Sequence, residues 1–329
     1  MVIRQPEYYA AFRCLAGDCP DSCCKEWAVA VDEDTLAKYR ALSGALGDAV
    51  RQTLREEDGE TVLFSQGGQC PLQQRDGLCR IHRELGEEAL CQVCREYPRL
   101  RHDYGTFLEL GLELSCPQAA RLILTDPGAV VTREVPGGET PDYDEEDMAL
   151  LLASREYALT LLAEGREAPG EALALLLTWG AHVQRQLDGE AVDPFSPEKA
   201  LEDGKMAAQP GSISQMRDFF RNLEILTCHW REKLSSSHNR PLPDAVVPLA
   251  RYFVNRYWLQ AVSDLDLYGR VKFAVISCIL VSSLEGDFTR NAQLYSKEIE
   301  NDPDNLDALL DAAYEAPAFT DSKLLGLLL

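Results

Sequence analysis

The spacing of apolar residues in the first hundred positions predicts two amphipathic helices. Across 32–55, apolar side chains recur every three or four residues, which places them on one face of a helix that Gly44 or Gly47 can interrupt. A second helical pattern covers 80–97. It ends there because the residue before Pro98 avoids helical backbone geometry.

Helical periodicity continues through the rest of the chain, where alanine and leucine dominate and β-branched alternation is scarce. The segment 107–114 is compatible with either a short strand or a helix. The predicted fold class is therefore mainly α, with a cysteine-rich N-terminal part that has few or no short strands and packs against a helical C-terminal part. The further predicted helices cover 117–124, 148–164, 170–187, 213–230, 248–263, 267–284, 289–299 and 305–314.

Two polar stretches that contain proline, glycine and acidic residues interrupt this pattern, near 126–147 and 188–211. Such composition is typical of loops and domain boundaries. A chain of 329 residues also exceeds the length of one average domain. We therefore predict two domains, a cysteine-rich domain over 1–125 and a helical domain over 126–329.

The chain is strongly acidic, with 54 acidic against 32 basic residues and a formal net charge of −22. Because an acidic surface repels phosphate backbones, we expect no nucleic-acid partner. The same charge attracts cationic surfaces, such as those of lysine-bearing proteins. Solubility alone also explains an acidic surface.

Neither a signal peptide nor a membrane span is evident in the sequence. The first residues lack the apolar core of a signal peptide. The longest apolar runs, such as Phe273 to Val281, are far shorter than the roughly 20 residues that a membrane helix needs. We therefore expect a cytoplasmic protein without a membrane partner.

The cysteines are concentrated near the N-terminus, since nine of the eleven fall between Cys14 and Cys116. In a reducing compartment, clustered cysteines are more often metal ligands or reactive thiols than disulfides. Short loops between them let several thiolates converge on one ion. We predict at least one four-cysteine metal centre; the alternative is a set of buried structural cysteines. The blocks are Cys14-x4-Cys19-x3-Cys23-Cys24, Cys70-Pro71, Cys79, Cys91-x2-Cys94 and Cys116-Pro117.

Ligation by sulfur alone suits zinc and iron–sulfur clusters equally. A structural zinc site typically uses regular pairs of cysteines two residues apart, whereas the first block here has spacings of 4, 3 and 0. This irregularity favours an iron–sulfur cluster, with zinc as the alternative. The spacing leaves open whether there are one or two centres.

The cysteine blocks and their neighbours resemble a known family. The run Tyr9-x2-Phe12-x-Cys14-x4-Cys19-x3-Cys23-Cys24-x2-Trp27 is similar to the opening of flagellin lysine-N-methylases, which belong to the proteins with a CxxCxxCC-type zinc- or iron-chelating domain. The likeness continues through Cys94-Arg95-Glu96-Tyr97-Pro98 and Leu114-Ser115-Cys116-Pro117. A weaker likeness follows at Tyr295-Ser296-x-Glu298. From Thr125 to Gly211 no likeness is recognisable.

This resemblance implies N-methylation of lysines on flagellin or a similar protein substrate, with S-adenosylmethionine as methyl donor and a [4Fe–4S] cluster. Cys91 has no counterpart in the family pattern, which leaves it outside the implied ligand set. That set comprises Cys14, Cys19, Cys23, Cys24, Cys70, Cys79, Cys94 and Cys116.

Methyl transfer to lysine needs a neutral amine, so a carboxylate or tyrosine beside an apolar slot would serve as general base. The candidates in the matching region, each with packing or ion pairing as its alternative role, are Tyr97, Tyr104, Glu109 and Glu113. Three arginines are candidates for binding the cofactor or for offsetting thiolate charge: Arg95, Arg99 and Arg121. The sequence contains no glycine-rich loop of the usual nucleotide-binding kind and no Cys-x3-Cys-x2-Cys pattern.

Two other functions fit the same residues. A zinc- or iron–sulfur-bearing scaffold without enzymatic activity would bind a partner through the acidic helical part. A redox or electron-transfer protein would use the cluster without a methyl donor. Metal analysis separates zinc from iron, and dependence on a methyl donor separates an enzyme from a redox protein.

Overall fold

The structure is a computed structural model that describes residues 1–25, 27–57, 59–64, 68–125 and 129–329. Its strands are β1 (Val2–Pro6), β2 (Val29–Ala30), β3 (Leu54–Glu57), β4 (Glu60–Leu63), β5 (Arg99–Asp103), β6 (Phe107–Leu112) and β7 (Val130–Glu134). Its first helices are α1 (Glu7–Ala11), α2 (Glu33–Ala41), α3 (Gly44–Thr53), α4 (Arg80–Leu85), α5 (Gln92–Glu96) and α6 (Pro117–Thr125). They are followed by α7 (Glu145–Glu164), α8 (Pro169–Leu187), α9 (Pro197–Ala207), α10 (Ile213–Phe220), α11 (Cys228–Ser235), α12 (Val246–Tyr257), α13 (Leu267–Ser283), α14 (Phe288–Tyr295), α15 (Pro303–Glu315) and α16 (Asp321–Leu328).

The prediction of a mainly α protein is confirmed, but the expectation of few or no strands is wrong. Seven strands in the described part form a four-stranded sheet in the order β5-β6-β1-β7 and a three-stranded sheet in the order β2-β4-β3. In the larger sheet β1 runs parallel to β6 and antiparallel to β7. These partners lie more than a hundred residues from β1 in sequence, so local periodicity could not reveal the pairing.

The predicted helix over 32–55 is present as two helices and a strand. Asp32 caps α2, its Oδ1 accepting a hydrogen bond from the backbone N of Thr35 at 2.9 Å. The chain turns at Gly44, whose φ of +72° favours glycine, before α3 begins. The last residues of the predicted helix form β3. The helical prediction is therefore confirmed up to Thr53, including the interruption at Gly44.

The predicted single helix over 80–97 is wrong, because two short helices, α4 and α5, occupy it. Gly86 ends α4 with a φ of +90° and a 3₁₀ turn at Glu87–Ala89 follows. The segment 107–114, for which the sequence is compatible with either a strand or a helix, contains β6. In the predicted loops, β7 lies within 126–147 and α9 within 188–211, while 126–128 fall outside the described residues.

The buried side chains form two clusters. The smaller one lies around α2, α3 and β2, and the thiols of Cys70, Cys79 and Cys94 pack against it. The larger one surrounds α13, which is buried along nearly its whole length, and also includes residues of β6 and α6. The sheet and the helices thus share one core, while the division into 1–125 and 126–329 stays a prediction. None of the helices among the described residues is long and apolar enough to cross a membrane.

Candidate thiol centre and adjoining cavity

Cys14, Cys19 and Cys23 lie in the loop after α1, and Cys116 is the residue before α6. Burial, with smaller contributions from negative charge on Cys19 and Cys14, raises the pKa of Cys116 to about 11. A hydrogen bond with Cys24, burial and the charges of Cys24, Cys14 and Cys116 raise the pKa of Cys23. These mutual effects on the pKa values indicate that the four thiols lie near one another. We call Cys14, Cys19, Cys23 and Cys116 the first thiol group.

A second thiol group consists of Cys24, Cys70, Cys79, Cys91 and Cys94. Burial raises the pKa of Cys70 to about 11, with further contributions from charge on Cys24 and Cys79. A hydrogen bond with Cys91 raises the pKa of Cys94, and charge on Cys24 adds to the effect. Cys91, which the family resemblance left out, is fully buried in this group. The hydrogen bond between Cys23 and Cys24 connects this group to the first one.

The donor chemistry of both groups fits a metal that prefers sulfur, since all eleven cysteines are free thiols in the structure, which describes every one of them. In the described ranges, however, no three His, Cys, Asp or Glu side chains lie close enough together to hold a metal ion as they stand. The thiols instead make contacts of protonated groups, such as the hydrogen bond by which Cys23 lowers the pKa of Cys24 to about 7. The metal centre therefore stays a prediction.

The C-terminal helices hold the loop that carries the first thiol group. Lys297 donates hydrogen bonds from Nζ to both carboxylate oxygens of Asp21, at 2.9 and 3.1 Å. Gln293 donates from Nε2 to Asp21 at 2.9 Å and to the carbonyl of Ser115 at 2.8 Å. Lys297 lies in a π-helical turn, Ser296–Glu300, and such turns are frequent at functional sites. Helix α14 and the π-helical turn that follows it thus fix both chain segments that supply thiols.

We expect Lys297→Met to lower the free energy of unfolding by about 1–3 kcal/mol, because Asp21 loses its charged donor. The Lys297 side chain is only 2% exposed, so solvent does not screen its ion pair. Chemical denaturation measures the change. The matched control is Lys205→Met, whose ion pair with Glu171 is exposed and should cost no more than about 1 kcal/mol. Equal effects of the two substitutions would contradict the anchoring role.

A cavity of about 680 Å³ lies between one face of the four-stranded sheet and the helices α7 and α12. Its walls are mostly apolar, with Leu152 and Ala153 from α7 and Pro248 from α12 among them. The volume is within the range of small-molecule sites in proteins. The cavity therefore has room for a ligand of nucleoside size.

A row of polar side chains crosses the sheet at the bottom of this cavity. His102 on β5 pairs in register with Glu109 on β6, and Glu109 pairs with Arg4 on β1. Arg4 in turn pairs with Thr132 on β7, and all four residues line the cavity. We call this row of His102, Glu109, Arg4 and Thr132 the polar ladder. Its register places one functional group on each strand.

Arg155 of α7 contacts the polar ladder at Glu109. Its Nη1 and Nη2 donate to the two carboxylate oxygens of Glu109 at 2.8 and 2.6 Å. The guanidinium of Arg4 lies farther from the same carboxylate, at 3.9 Å. Burial lowers the pKa of His102, as does the positive charge of Arg256, so its imidazole is neutral at neutral pH. Among the described residues, its Nε2 has no hydrogen-bond partner.

A buried polar network leads from the first thiol group to the cavity. The Tyr97 and Ser115 hydroxyls lie 3.1 Å apart, and the Ser115 hydroxyl donates to Glu113 at 3.4 Å. Arg256 lies 3.9 Å from Glu113 and 3.3 Å from Glu300, and it lines the cavity. Charge on Cys116 and Cys23 contributes to the raised pKa of Tyr97, after burial. The two regions are thus physically connected.

The structure distributes the candidate catalytic residues between these two regions. Glu109 lines the cavity, and Tyr104 stacks on Phe107 beside it, with ring centroids 4.8 Å apart. Tyr97 and Glu113 belong to the connecting network instead. Burial raises the pKa of Glu113, which its Arg256 neighbour opposes.

The three arginine candidates do not reach the cavity. Its described lining residues do not include Arg95, Arg99 or Arg121. The guanidinium carbon of Arg99 lies 5.3 Å from the centroid of the Phe12 ring. Arg121 donates a hydrogen bond from Nε to Oε1 of Gln118. Sequence reasoning missed Arg4, His102 and Arg155, because the ladder that gathers them depends on strand pairing that no local pattern reveals.

Fold and site together define a mainly α protein in which clustered free thiols lie beside a cavity with a charged floor. The chain is 27% identical over 255 residues to the lysine-N-methylases of Salmonella typhimurium (strain LT2) and Salmonella choleraesuis (strain SC-B67). These alignments cover 68% of this chain but 63% of the relatives, so the chain spans less than two thirds of their length. It is 32% identical over 145 residues to the flagellar biosynthetic protein FliU of Salmonella muenchen, which covers 41% of this chain and 83% of that protein.

The chain belongs to the family of these FliU and lysine-N-methylase proteins. No protein-family profile matches it. No solved structure matches it at a significant level either.

Proposed function

We propose that this protein methylates lysine ε-amines of a flagellar protein, with S-adenosylmethionine as the methyl donor. The observation that carries the proposal is the 255-residue similarity to proteins named lysine-N-methylase. The name of FliU supports a flagellar protein as the substrate. The net charge of −22 is consistent with a substrate surface that carries exposed lysines.

The cavity supports this chemistry through a neutral proton acceptor. A lysine amine attacks a methyl carbon only after it has lost its proton, and the amine then keeps the methyl group as the donor's carbon–sulfur bond breaks. His102 is the candidate to accept that proton, because its imidazole is neutral and the residue lines the cavity. S-Adenosylmethionine supplies the methyl group when bound.

Replacing His102 with glutamine should lower the rate of methyl transfer at least tenfold, since general-base catalysis contributes about 10²–10⁴ and water can replace part of it. Because glutamine cannot accept the proton, the loss should shrink at higher pH, where more of the lysine is already neutral. A pH series of initial rates with both proteins measures this. A rate loss that is independent of pH would assign His102 a structural role.

The thiol groups are proposed to hold a cysteine-ligated centre, a [4Fe–4S] cluster or zinc. The first group would supply four thiolate ligands, the number that a [4Fe–4S] cluster or a structural zinc ion takes. The second group has one thiol more than four, and Cys91, which has no counterpart in the family pattern, is the residue in excess. In this proposal, both thiol groups stabilise the fold around Asp21 and Ser115, next to the buried polar network that leads to the cavity.

The direct test uses purified flagellar filament protein, S-adenosylmethionine labelled in the methyl group, and the protein prepared anaerobically. We expect label on lysine and a mass increment of one or more methyl groups, located by peptide mass spectrometry. Filament protein with its lysines chemically acetylated is the control substrate. No transfer by metal-loaded protein, with label retained in the donor, would refute the proposal.

A further inference from the structure

The strand β7 forms one edge of the four-stranded sheet, and its outer side is open. In the described part of the chain it pairs only with β1. All five of its residues are exposed, including the apolar side chains of Val130 and Val131, at 52% and 45%. An exposed sheet edge is a template on which another strand can pair. The outer side of β7 can therefore accept an added strand.

The register of β7 against β1 shows which backbone groups face this open side. Met1 and Val135 exchange two backbone hydrogen bonds, at 3.1 and 3.0 Å. Glu7 donates from its backbone N to the carbonyl of Ala129 at 3.0 Å. Residues that bond to the partner strand alternate with residues that face away from it. The backbone N–H and C=O groups that point away from β1 are therefore those of Val130, Thr132 and Glu134.

The loop that follows β7 runs away from this open side. Glu139 donates from its backbone N to the carbonyl of Gly105 at 3.1 Å, and the Tyr143 and Thr106 hydroxyls lie 3.1 Å apart. Gly105 and Thr106 lie in the turn between β5 and β6, which are on the far side of β1. The loop therefore crosses the end of the sheet towards β5 and leaves the outer side of β7 accessible.

The two edges of the sheet differ in composition. The edge strand β5 exposes charged side chains at alternate positions, and Arg101 donates to Asp103 at 2.9 Å. Charged side chains on an edge strand discourage pairing with another chain. The first three residues of β7, in contrast, are uncharged and β-branched, which favours an extended backbone. The composition of β7 therefore fits strand pairing, whereas that of β5 opposes it.

Charge distinguishes between two kinds of chain that could pair with this edge. A second copy of the protein carries the same net charge of −22, so its approach is opposed by repulsion between the two chains. A protein surface that carries exposed lysines is attracted instead. A lysine-bearing protein substrate is therefore the occupant that the charge favours.

We propose that β7 binds an extended, lysine-flanked segment of the protein substrate as a fifth strand of this sheet. The inference rests on the proposed function, in which that substrate is a flagellar protein. The added strand extends the row of the polar ladder beyond Thr132, so it lies four strand spacings, or about 19 Å, from His102. The bound segment therefore anchors the substrate, while a lysine farther along the substrate chain enters the cavity.

Amide hydrogen exchange resolved by residue in NMR spectra tests the strand pairing directly. In the full-length protein alone, the amides of Thr132 and Glu134 should exchange fast, because they face solvent, and those of Val131 and Arg133 slowly, because they donate to β1. Addition of depolymerised flagellar filament protein should slow exchange at Thr132 and Glu134 at least tenfold and leave Val131 and Arg133 nearly unchanged. Unchanged exchange at Thr132 and Glu134 in the complex would overturn the proposal.

A pair of matched variants tests the same surface by affinity. The Val131 side chain faces away from the cavity, because it alternates with Thr132 along the strand. Val131→Lys should weaken binding of flagellar filament protein roughly tenfold in titration calorimetry, because the added charge repels lysines and protects the edge. Met206→Lys adds the same charge at a residue of α9 that is 76% exposed, and it should bind as the wild type does. Equal affinities of the two variants would refute binding at β7.

Docking and methyl transfer fail separately in this design. If Thr132 and Glu134 are protected but no lysine gains a methyl group, the docking surface holds and the proposed function fails. If lysines are methylated while these amides stay unprotected, the proposed function holds and the docking surface fails. If the amides become protected in the protein alone as its concentration rises, a second copy pairs with β7, and the substrate as occupant is overturned.

Discussion

Arg155→Met is expected to lower the free energy of unfolding by about 3–5 kcal/mol, the usual cost of removing one partner of a buried ion pair. The Arg155 and Glu109 side chains are only 7% and 13% exposed, and two hydrogen bonds join them. Without the guanidinium, the Glu109 carboxylate would remain in an apolar cavity with Arg4 3.9 Å away. Urea unfolding followed by circular dichroism measures the change.

The double variant Arg155→Met, Glu109→Met should recover much of this loss, because it removes both charges and fills the space with apolar groups. Arg185→Met is the matched control, since its ion pair with Glu190 is more than half exposed on both sides and should contribute about 1 kcal/mol at most. If Arg155→Met costs no more than this control, the pair does not hold α7 against the sheet.

The second large effect concerns metal content. Protein purified anaerobically is expected to contain iron and sulfide, or zinc, and Cys116→Ser should remove the metal bound by the first thiol group. Serine has nearly the shape of cysteine but lacks the soft sulfur donor that such metals select. Elemental analysis together with sulfide determination measures the content and distinguishes zinc from a cluster.

If each thiol group binds its own metal, the losses of metal content in variants of the two groups should be additive. Cys94→Ser should remove the metal of the second group only, so the double variant with Cys116→Ser should lose the sum of both losses. Cys91→Ser tests whether this buried thiol is a ligand or a packing residue. Cys228→Ser, at an exposed position on α11, is the control and should keep the full content. Metal-free wild-type protein, or full content in Cys116→Ser, would contradict a cysteine-ligated centre.

Most of the helical half was accessible from sequence. The predicted helices over 148–164, 170–187 and 267–284 agree closely with α7, α8 and α13. An amphipathic helix depends on contacts three and four residues apart, which any local window contains. The short helix α9 was missed because a serine cap and a proline at its start resemble loop composition.

The candidate site was only partly accessible. The concentration of cysteines indicates where the thiols gather, and the structure adds that Cys91 is buried among Cys70, Cys79 and Cys94. The resemblance to lysine-N-methylases agrees with the similarity of the chain to proteins of that name. The sequence indicates neither the cavity nor its arginines, because Arg95, Arg99 and Arg121 are candidates through their closeness to cysteines along the chain, whereas strand pairing and helix packing bring Arg4 and Arg155 to the cavity.

The sequence by itself determined the helical character, the acidic surface and the crowding of thiols, because each follows from composition or from contacts between near neighbours. Only the tertiary structure decided the polar ladder. Its members lie far apart in the chain, from Arg4 on β1 to Thr132 on β7. Their register is set by strand pairing that closes long loops. A single residue's shift would turn these side chains to the opposite face of the sheet and empty the cavity of its charges.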